Sequence, residues 1–187
     1  MTNSNSARTD SSALFYIRIT ASLLIIASLI AVMLAAVNSL TEDRIAENKM
    51  IEVTASISAL FGEGIETEEL TVPGGSIVTG RYKIFANGGL AGYCVRVAPK
   101  GFDGEIDMMV AITPEGAVKG VRVISHTETP GLGSKAAEDD YLNTYRGKSG
   151  TLVLGEDVDA IAGSTFSSRA IFEGVNAALS CYDGGEA

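Results

Sequence analysis

Between Ile19 and Val37 the chain carries no charged residue. At a rise of roughly 1.5 Å per residue, a helix over that run is about 30 Å long, the thickness of the hydrocarbon layer of a bilayer. The run therefore predicts a single transmembrane helix over 13–37, preceded by a polar, loose tail over 1–12 and followed by a folded domain over 38–187. A cleavable signal peptide fits less well, because its apolar core spans roughly 7 to 15 residues and ends at a small-residue cleavage site. Arg8 and Arg18 precede the span, whereas Glu42 and Asp43 follow it. The positive-inside bias then puts the N-terminus in the cytoplasm and the C-terminal domain on the extracytoplasmic side of the cell inner or cytoplasmic membrane.

The rest of the chain has room for one domain of ordinary size. Its 187 residues carry a formal charge of -9, and no basic tract is present. Nucleic acid is excluded as a partner, since phosphate backbones are bound by clustered Lys and Arg. The two cysteines, Cys94 and Cys181, form no CxxC pair and have no histidine at ligand spacing. No metal site is expected from them. They suit a disulfide in an oxidising compartment, and Cys94 equally suits a buried thiol.

Beyond the membrane, Ala46, Met50, Val53, Ile57 and Leu60 recur every three or four residues. That spacing predicts an amphipathic helix, ended by Phe61, Gly62 and Gly64, whose apolar stripe packs on a sheet or docks a partner. The acidic stretch Glu63 to Glu69 reads as solvated surface. Arg81 to Phe85 and Gly92 to Val97 flank Asn87, Gly88 and Gly89, a hairpin signal. Ile106 to Thr113 and Val118 to Ser125 flank Pro114, Glu115 and Gly116, a second tight turn. Short links between consecutive strands favour an antiparallel meander. The fold class is α+β, with a mainly antiparallel sheet and flanking helices.

The last of those strands runs into His126 to Ala136, HTETPGLGSKA, where Pro130, Gly131 and Gly133 predict a sharply bent loop. His126 is the single histidine and reads as structural rather than as an acid or base. Ser134 is placed to cap a helix over Lys135 to Tyr145 with Leu142 and Tyr145 facing inward. A final strand, Thr151 to Leu154, leads through Gly155, Glu156 and Asp157 to the stretch Asp159 to Ser168, DAIAGSTFSS.

That stretch orders a short apolar strand, a glycine, hydroxyl residues and a helix start. Ile171, Val175, Ala178 and Leu179 give the helix one buried face and leave its start open. The first N–H groups of a helix lack internal partners and its dipole favours an anion there, so the pattern suits a phosphate. Arg169 lies on the same helix face as Thr165. An ordinary Ser/Thr N-cap produces the same pattern.

The decapeptide resembles the flavin-attachment motif of the FMN-binding domain shared by the G subunit of Rnf complexes and the C subunit of the sodium-pumping NADH:quinone reductase. In that family the motif reads SGAT followed by an apolar residue and Ser or Thr, and its threonine is esterified by the phosphate of FMN. The resemblance implies Thr165 as the acceptor, with Asp159, Gly163, Phe166 and Ser167 matching the motif. Ala162 stands where Ser is usual and Ser164 where Ala is usual, which places a second hydroxyl beside the acceptor. The loop Glu128, Thr129, Pro130, Gly131, Leu132, Gly133 is similar to the ETPGLG stretch that lies near the flavin in the same family. Gly163, Ser164, Phe166, Ser167, Arg169 and the six loop residues are thus expected to bind the cofactor, with no catalytic side chain among them.

What the resemblance implies is a redox subunit of a multi-subunit, ion-translocating oxidoreductase. Its covalent FMN would carry electrons between ferredoxin-side and NAD-side or other partners, while sodium ions or protons cross the membrane. Its partners would be the other membrane and iron–sulfur subunits of an Rnf-type complex, and a flavin transferase during maturation. Two other classes fit the residues: a membrane-anchored FMN protein of another reductase or a redox regulator, and a non-redox surface module in which the motif is only a helix cap.

Overall fold

A computed structural model describes residues 6–72 and 77–182, and the chain divides into two units, 1–50 and 51–187. The first unit is helical. Helix α1 runs over Ser6–Phe61, so it starts inside the stretch expected to be a loose tail, of which 1–5 lies outside the described residues. Within it, Phe15–Ala36 is apolar and long enough to cross a membrane, and none of it is buried in protein. Leu23, Leu24, Ile25, Leu29 and Leu34 are each more than 60% exposed, the pattern of a helix whose surroundings are apolar rather than of a core helix.

The second unit is built on a five-stranded antiparallel sheet in sequential order. Its strands are β1 (Ile65–Leu70), β2 (Val78–Ala86), β3 (Gly89–Val97), β4 (Asp107–Ile112) and β5 (Val118–Ser125). The expected meander is therefore present. Asn87 and Gly88, at φ 53 and 77, close the β2–β3 hairpin with the two positive dihedrals that a two-residue loop of right-handed twist requires. Gly116, at φ 86, closes the β4–β5 turn, where its N–H donates to Thr113 O at 3.0 Å.

Alternation along the strands divides the sheet into two apolar faces. On one, Val95, Val97, Met108, Val110, Ile112 and Val121 lie with the C-terminal helix and Tyr145 in a single buried cluster. On the other, Ile84, Cys94 and Met109 meet Val53 and Ile57 of the last part of α1. The stripe at Val53 and Ile57 thus packs on the sheet, as expected, whereas the side chains of Ala46 and Met50 lie outside the described residues. Burial of each such side chain contributes about 1.5 to 3 kcal/mol. The two cysteines sit on opposite faces, Cys94 in one cluster and Cys181 in the other, so the sheet itself keeps them from forming a disulfide.

Four elements depart from the sequence expectation. Glu63 to Glu69 is not merely a surface segment, because Ile65–Leu70 pairs with β2 as an edge strand. Its carboxylates stay in solvent, and charges of this kind protect a sheet edge from further pairing. Thr151 to Leu154 is not a strand. There the Asn176 side chain takes the part of a neighbouring strand, accepting from Leu152 N at 2.8 Å and donating to Leu152 O at 3.1 Å. The helix expected over Lys135 to Tyr145 breaks into a 3-10 turn (Gly133–Ala137), helix α2 (Asp139–Leu142) and a second 3-10 turn (Asn143–Tyr145). Leu142 and Tyr145 are nonetheless buried. Finally, Asp159 to Ile161 is irregular chain rather than a short strand, ending in a turn where Ser164 N donates to Ile161 O.

Candidate functional site

Helix α3 (Thr165–Cys181) approaches the sheet so closely at Gly174 that a Cβ there would stand 2.2 Å from Met108 Cε. Ile171, Val175 and Ala178 are fully buried on its inner face, and Leu179 is nearly so. With that face fixed, the first turn of α3 is held beside the loop that leaves β5.

That first turn has no side-chain cap. Ser164 occupies the cap position with φ -127 and ψ 28, but its hydroxyl makes no capping hydrogen bond. It donates instead to Gly133 O at 3.4 Å, and Ser164 is only 4% exposed. The reading of the motif as an ordinary Ser/Thr N-cap is therefore not supported by the geometry. The leading N–H groups of α3 remain available to an anionic ligand, and the helix dipole favours one. Gly163, at φ 83, turns the chain into the helix, and space around its Cα is open. Thr165 is exposed.

Ser167 and Ser168 are buried. Ser168 accepts from Ile161 N at 3.1 Å and donates to Ser164 O at 2.5 Å, which ties the motif to itself. Ser167 donates to Glu128 Oε2 at 2.5 Å, joining the motif to the ETPGLG loop. Glu128 is 4% exposed, and its Oε1 accepts from Phe102 N at 2.8 Å and Asp103 N at 3.2 Å. A buried carboxylate requires such donors.

These elements enclose a cleft of about 180 Å³ lined by Phe102, Glu128, Thr129, Leu132, Gly133, Gly163, Ser164, Thr165, Phe166 and Ser167. Nine of the ten come from the two stretches singled out in the sequence, although residues 137–158 separate those stretches. Pro130, Gly131 and Arg169 do not line it, and neither does His126. Gly131 and Ser134 shape the loop from outside, since Gly131 N donates to Ser134 Oγ at 2.9 Å. Ser134 is thus engaged there and caps no helix.

Phe102 is a site residue that the sequence reading does not anticipate. It lies in the β3–β4 connection, 71% exposed, with its ring 6.0 Å from that of Phe166, itself 69% exposed. Two large aromatic rings left in solvent on either side of one cleft are unusual, and the signal available in the sequence is an aromatic between glycines, Gly101 and Gly104. Beneath the motif, burial pushes the phenols of Tyr141 and Tyr145 up, and their hydroxyls lie 3.1 Å apart. Neither can supply a phenolate near neutral pH. Among the described residues no group of three or more His, Cys, Asp or Glu is arranged to hold a metal ion.

Residues 101–180, which hold the whole cleft, match the FMN-binding domain family. Over that stretch the chain is similar to that family. It is 35% identical over 94 residues to the G subunit of the proton-translocating ferredoxin:NAD(+) oxidoreductase complex of Clostridium ljungdahlii, covering 46% of this chain and 51% of that protein. It is also 35% identical over 108 residues to the G subunit of the Na(+)-translocating ferredoxin:NAD(+) oxidoreductase complex of Acetobacterium woodii, covering 52% of each. The chain thus spans about half the length of these two curated relatives. A longer alignment, 28% identical over 170 residues, covers 82% of this chain and 78% of the G subunit of the ion-translocating oxidoreductase complex of Cereibacter sphaeroides. Among solved structures, NqrC of Shewanella oneidensis is similar with a TM-score of 0.48 and 26% identity, over 58% of this chain and 62% of that one.

Proposed function

We propose that this protein is the membrane-anchored flavoprotein subunit of an Rnf-type ion-translocating electron transport complex, with FMN joined to Thr165 through a phosphoester. The observation that carries the reading is the exposed Thr165 at the uncapped start of α3, within a cleft of the FMN-binding domain. The rival hydroxyl of Ser164 is buried and directed to Gly133 O, which supports Thr165 as the acceptor.

The residues present fit the cofactor. The leading N–H groups of α3 suit a phosphate, Gly163 leaves room for it, and Phe102, Leu132 and Phe166 offer apolar surface to a flat ring. FMN, when bound, supplies the redox chemistry, passing one or two electrons. At about 180 Å³ the cleft is smaller than the roughly 300 to 1,000 Å³ of sites that enclose a drug-sized ligand. A site of this size would hold part of a flavin nucleotide rather than enclose it. Such a shallow grip also explains the value of a covalent bond, which prevents loss of the cofactor to the medium.

The apolar helix anchors the domain in the membrane, and Arg8 and Arg18 ahead of it favour an extracytoplasmic domain. The partners in this reading are the other membrane and iron–sulfur subunits of the complex, and a flavin transferase that installs the FMN. The names of the G-subunit relatives, ferredoxin:NAD(+) oxidoreductases that move protons or sodium ions, support the assignment. The test is co-expression with a flavin transferase. The purified chain should be yellow and keep its colour after denaturation, and a chain that never retains flavin would contradict the reading.

A further inference from the structure

Glu128 is a carboxylate residue buried where charge is costly, with both side-chain oxygens accepting hydrogen bonds from the protein. Oε1 accepts from the backbone of Phe102 and Asp103, and Oε2 accepts from Ser167. It thereby joins three segments distant in sequence: the β3–β4 loop, the loop after β5 and the first turn of α3. We infer that Glu128 is a positioning residue whose carboxylate clamps the β3–β4 loop to α3 and holds Phe102 opposite Phe166 at the mouth of the cleft. The inference rests on the FMN reading above for its functional consequence, but the clamp itself is a property of the unloaded chain.

The glycines around the carboxylate carry the argument further. A Cβ on Gly101 would stand 2.2 Å from Glu128 Oε1, and a Cβ on Gly133 would stand 2.3 Å from Glu128 Oε2. Neither glycine has a positive φ, so neither is required by the backbone conformation. Both are required by the space the carboxylate occupies. The β3–β4 loop is also closed on itself, because Gly101 N donates to Gly104 O at 2.7 Å, and Thr127 Oγ1 donates to Asp103 O at 3.1 Å. A Cβ on Gly104 would meet Thr127 Oγ1 at 2.2 Å. Glu128 and Thr127 therefore grasp the loop from one side with adjacent side chains, and the segment between the two grips carries the exposed Phe102 ring. With both oxygens accepting hydrogen bonds from the protein, the carboxylate acts through Phe102 and Ser167.

The test uses the full chain in detergent micelles, unloaded and loaded with FMN, comparing wild type with Glu128→Gln, Ser167→Ala and Gly101→Ala. The amide of Gln presents a donor where one set of partners also donates, and Gly101→Ala forces the carboxylate out while leaving it chemically intact. In unloaded Glu128→Gln and Gly101→Ala, hydrogen exchange at Phe102 and Asp103 should rise by about tenfold or more, with exchange at Val110 and Val95 unchanged. Ser167→Ala, which removes one leg only, should give a smaller rise in the same amides. In the loaded chain, the visible circular dichroism of the flavin should change in Glu128→Gln and Gly101→Ala alike. Unchanged exchange at Phe102 and Asp103 would overturn the clamp. Raised exchange with an unchanged flavin spectrum would reduce Glu128 to a structural tie and overturn the positioning role. A wild-type chain that takes no flavin would refute both the proposed function and the role toward the ring, while the exchange result would still decide the clamp.

Discussion

Ser167 on the first turn of α3 donates a 2.5 Å hydrogen bond to the carboxylate of Glu128, a residue 39 positions earlier, just past the end of β5. Both groups are buried, so this contact unites the two motifs into one site. A hydrogen bond to a charged group contributes about 1.5 to 3 kcal/mol, and removing one partner leaves the other short of a donor. Ser167→Ala should lower the unfolding free energy by that amount in denaturant titration, with an unchanged m-value. A loss below about 0.5 kcal/mol would show that the contact is not maintained in solution.

Two glycines of the loop should respond differently to the same substitution. Gly131 has φ 77 with open space around it, so Gly131→Ala meets only backbone strain of about 1 kcal/mol. Gly133→Ala places a methyl 2.3 Å from Glu128 Oε2 and 2.8 Å from Ser167 Oγ, which displaces both. Overpacking and loss of that hydrogen bond together should cost about 2 to 4 kcal/mol. Melting curves of the two variants check the order. Equal shifts would mean that the crowding at Gly133 is relieved without cost.

The domain should lose stability in alkali. Burial pushes the Cys94 thiol well above its ordinary value of 9.0, and burial likewise raises the phenols of Tyr82, Tyr141 and Tyr145 above 10.0. When the folded pKa lies above the unfolded one, the unfolded chain releases its proton first as pH rises. The unfolded state then binds fewer protons than the native state, so stability falls with pH. Stability should hold a plateau below about pH 9 and decline above it, measured as the denaturation midpoint against pH. Cys94→Ala should move the start of the decline upward. An unchanged onset would show that the thiol does not contribute.

Orientation follows from Arg8 and Arg18 ahead of the apolar span and Glu42 and Asp43 behind it. A reporter that matures only outside the cytoplasm, fused after Ala187, should be active, and a cytoplasmic reporter fused there should be silent. The reverse pattern would place the domain, and any flavin on it, on the cytoplasmic side.

How far the sequence reveals this structure depends on whether a residue's role is local. The hairpin at Asn87–Gly88, the turn at Gly116 and the buried stripe of α3 all follow from backbone preference and periodicity, which neighbouring residues carry by themselves. The edge strand at Ile65–Leu70 is hidden because its side chains are acidic and exposed, and pairing with β2 is fixed by backbone groups rather than by apolar alternation. The strand expected at Thr151 to Leu154 fails for a related reason, since a side chain, Asn176, satisfies the backbone that a neighbouring strand would have. Within the site, Thr165, Glu128 and their neighbours are found through motif resemblance, whereas Phe102 is not. Its place at the cleft depends on a contact made across the fold by Glu128, and an aromatic between glycines does not by itself point to that contact.

The central claim is that the Thr165 hydroxyl carries FMN. Intact-protein mass spectrometry after co-expression with a flavin transferase tests it most directly. Wild type and Ser164→Ala should each gain the mass of one FMN less one water, because the buried Ser164 hydroxyl is engaged with Gly133 O. Thr165→Ala keeps Gly163, the helix start and the buried stripe, so it should fold and gain nothing. A flavin adduct on Thr165→Ala, or none on wild type, would contradict the account.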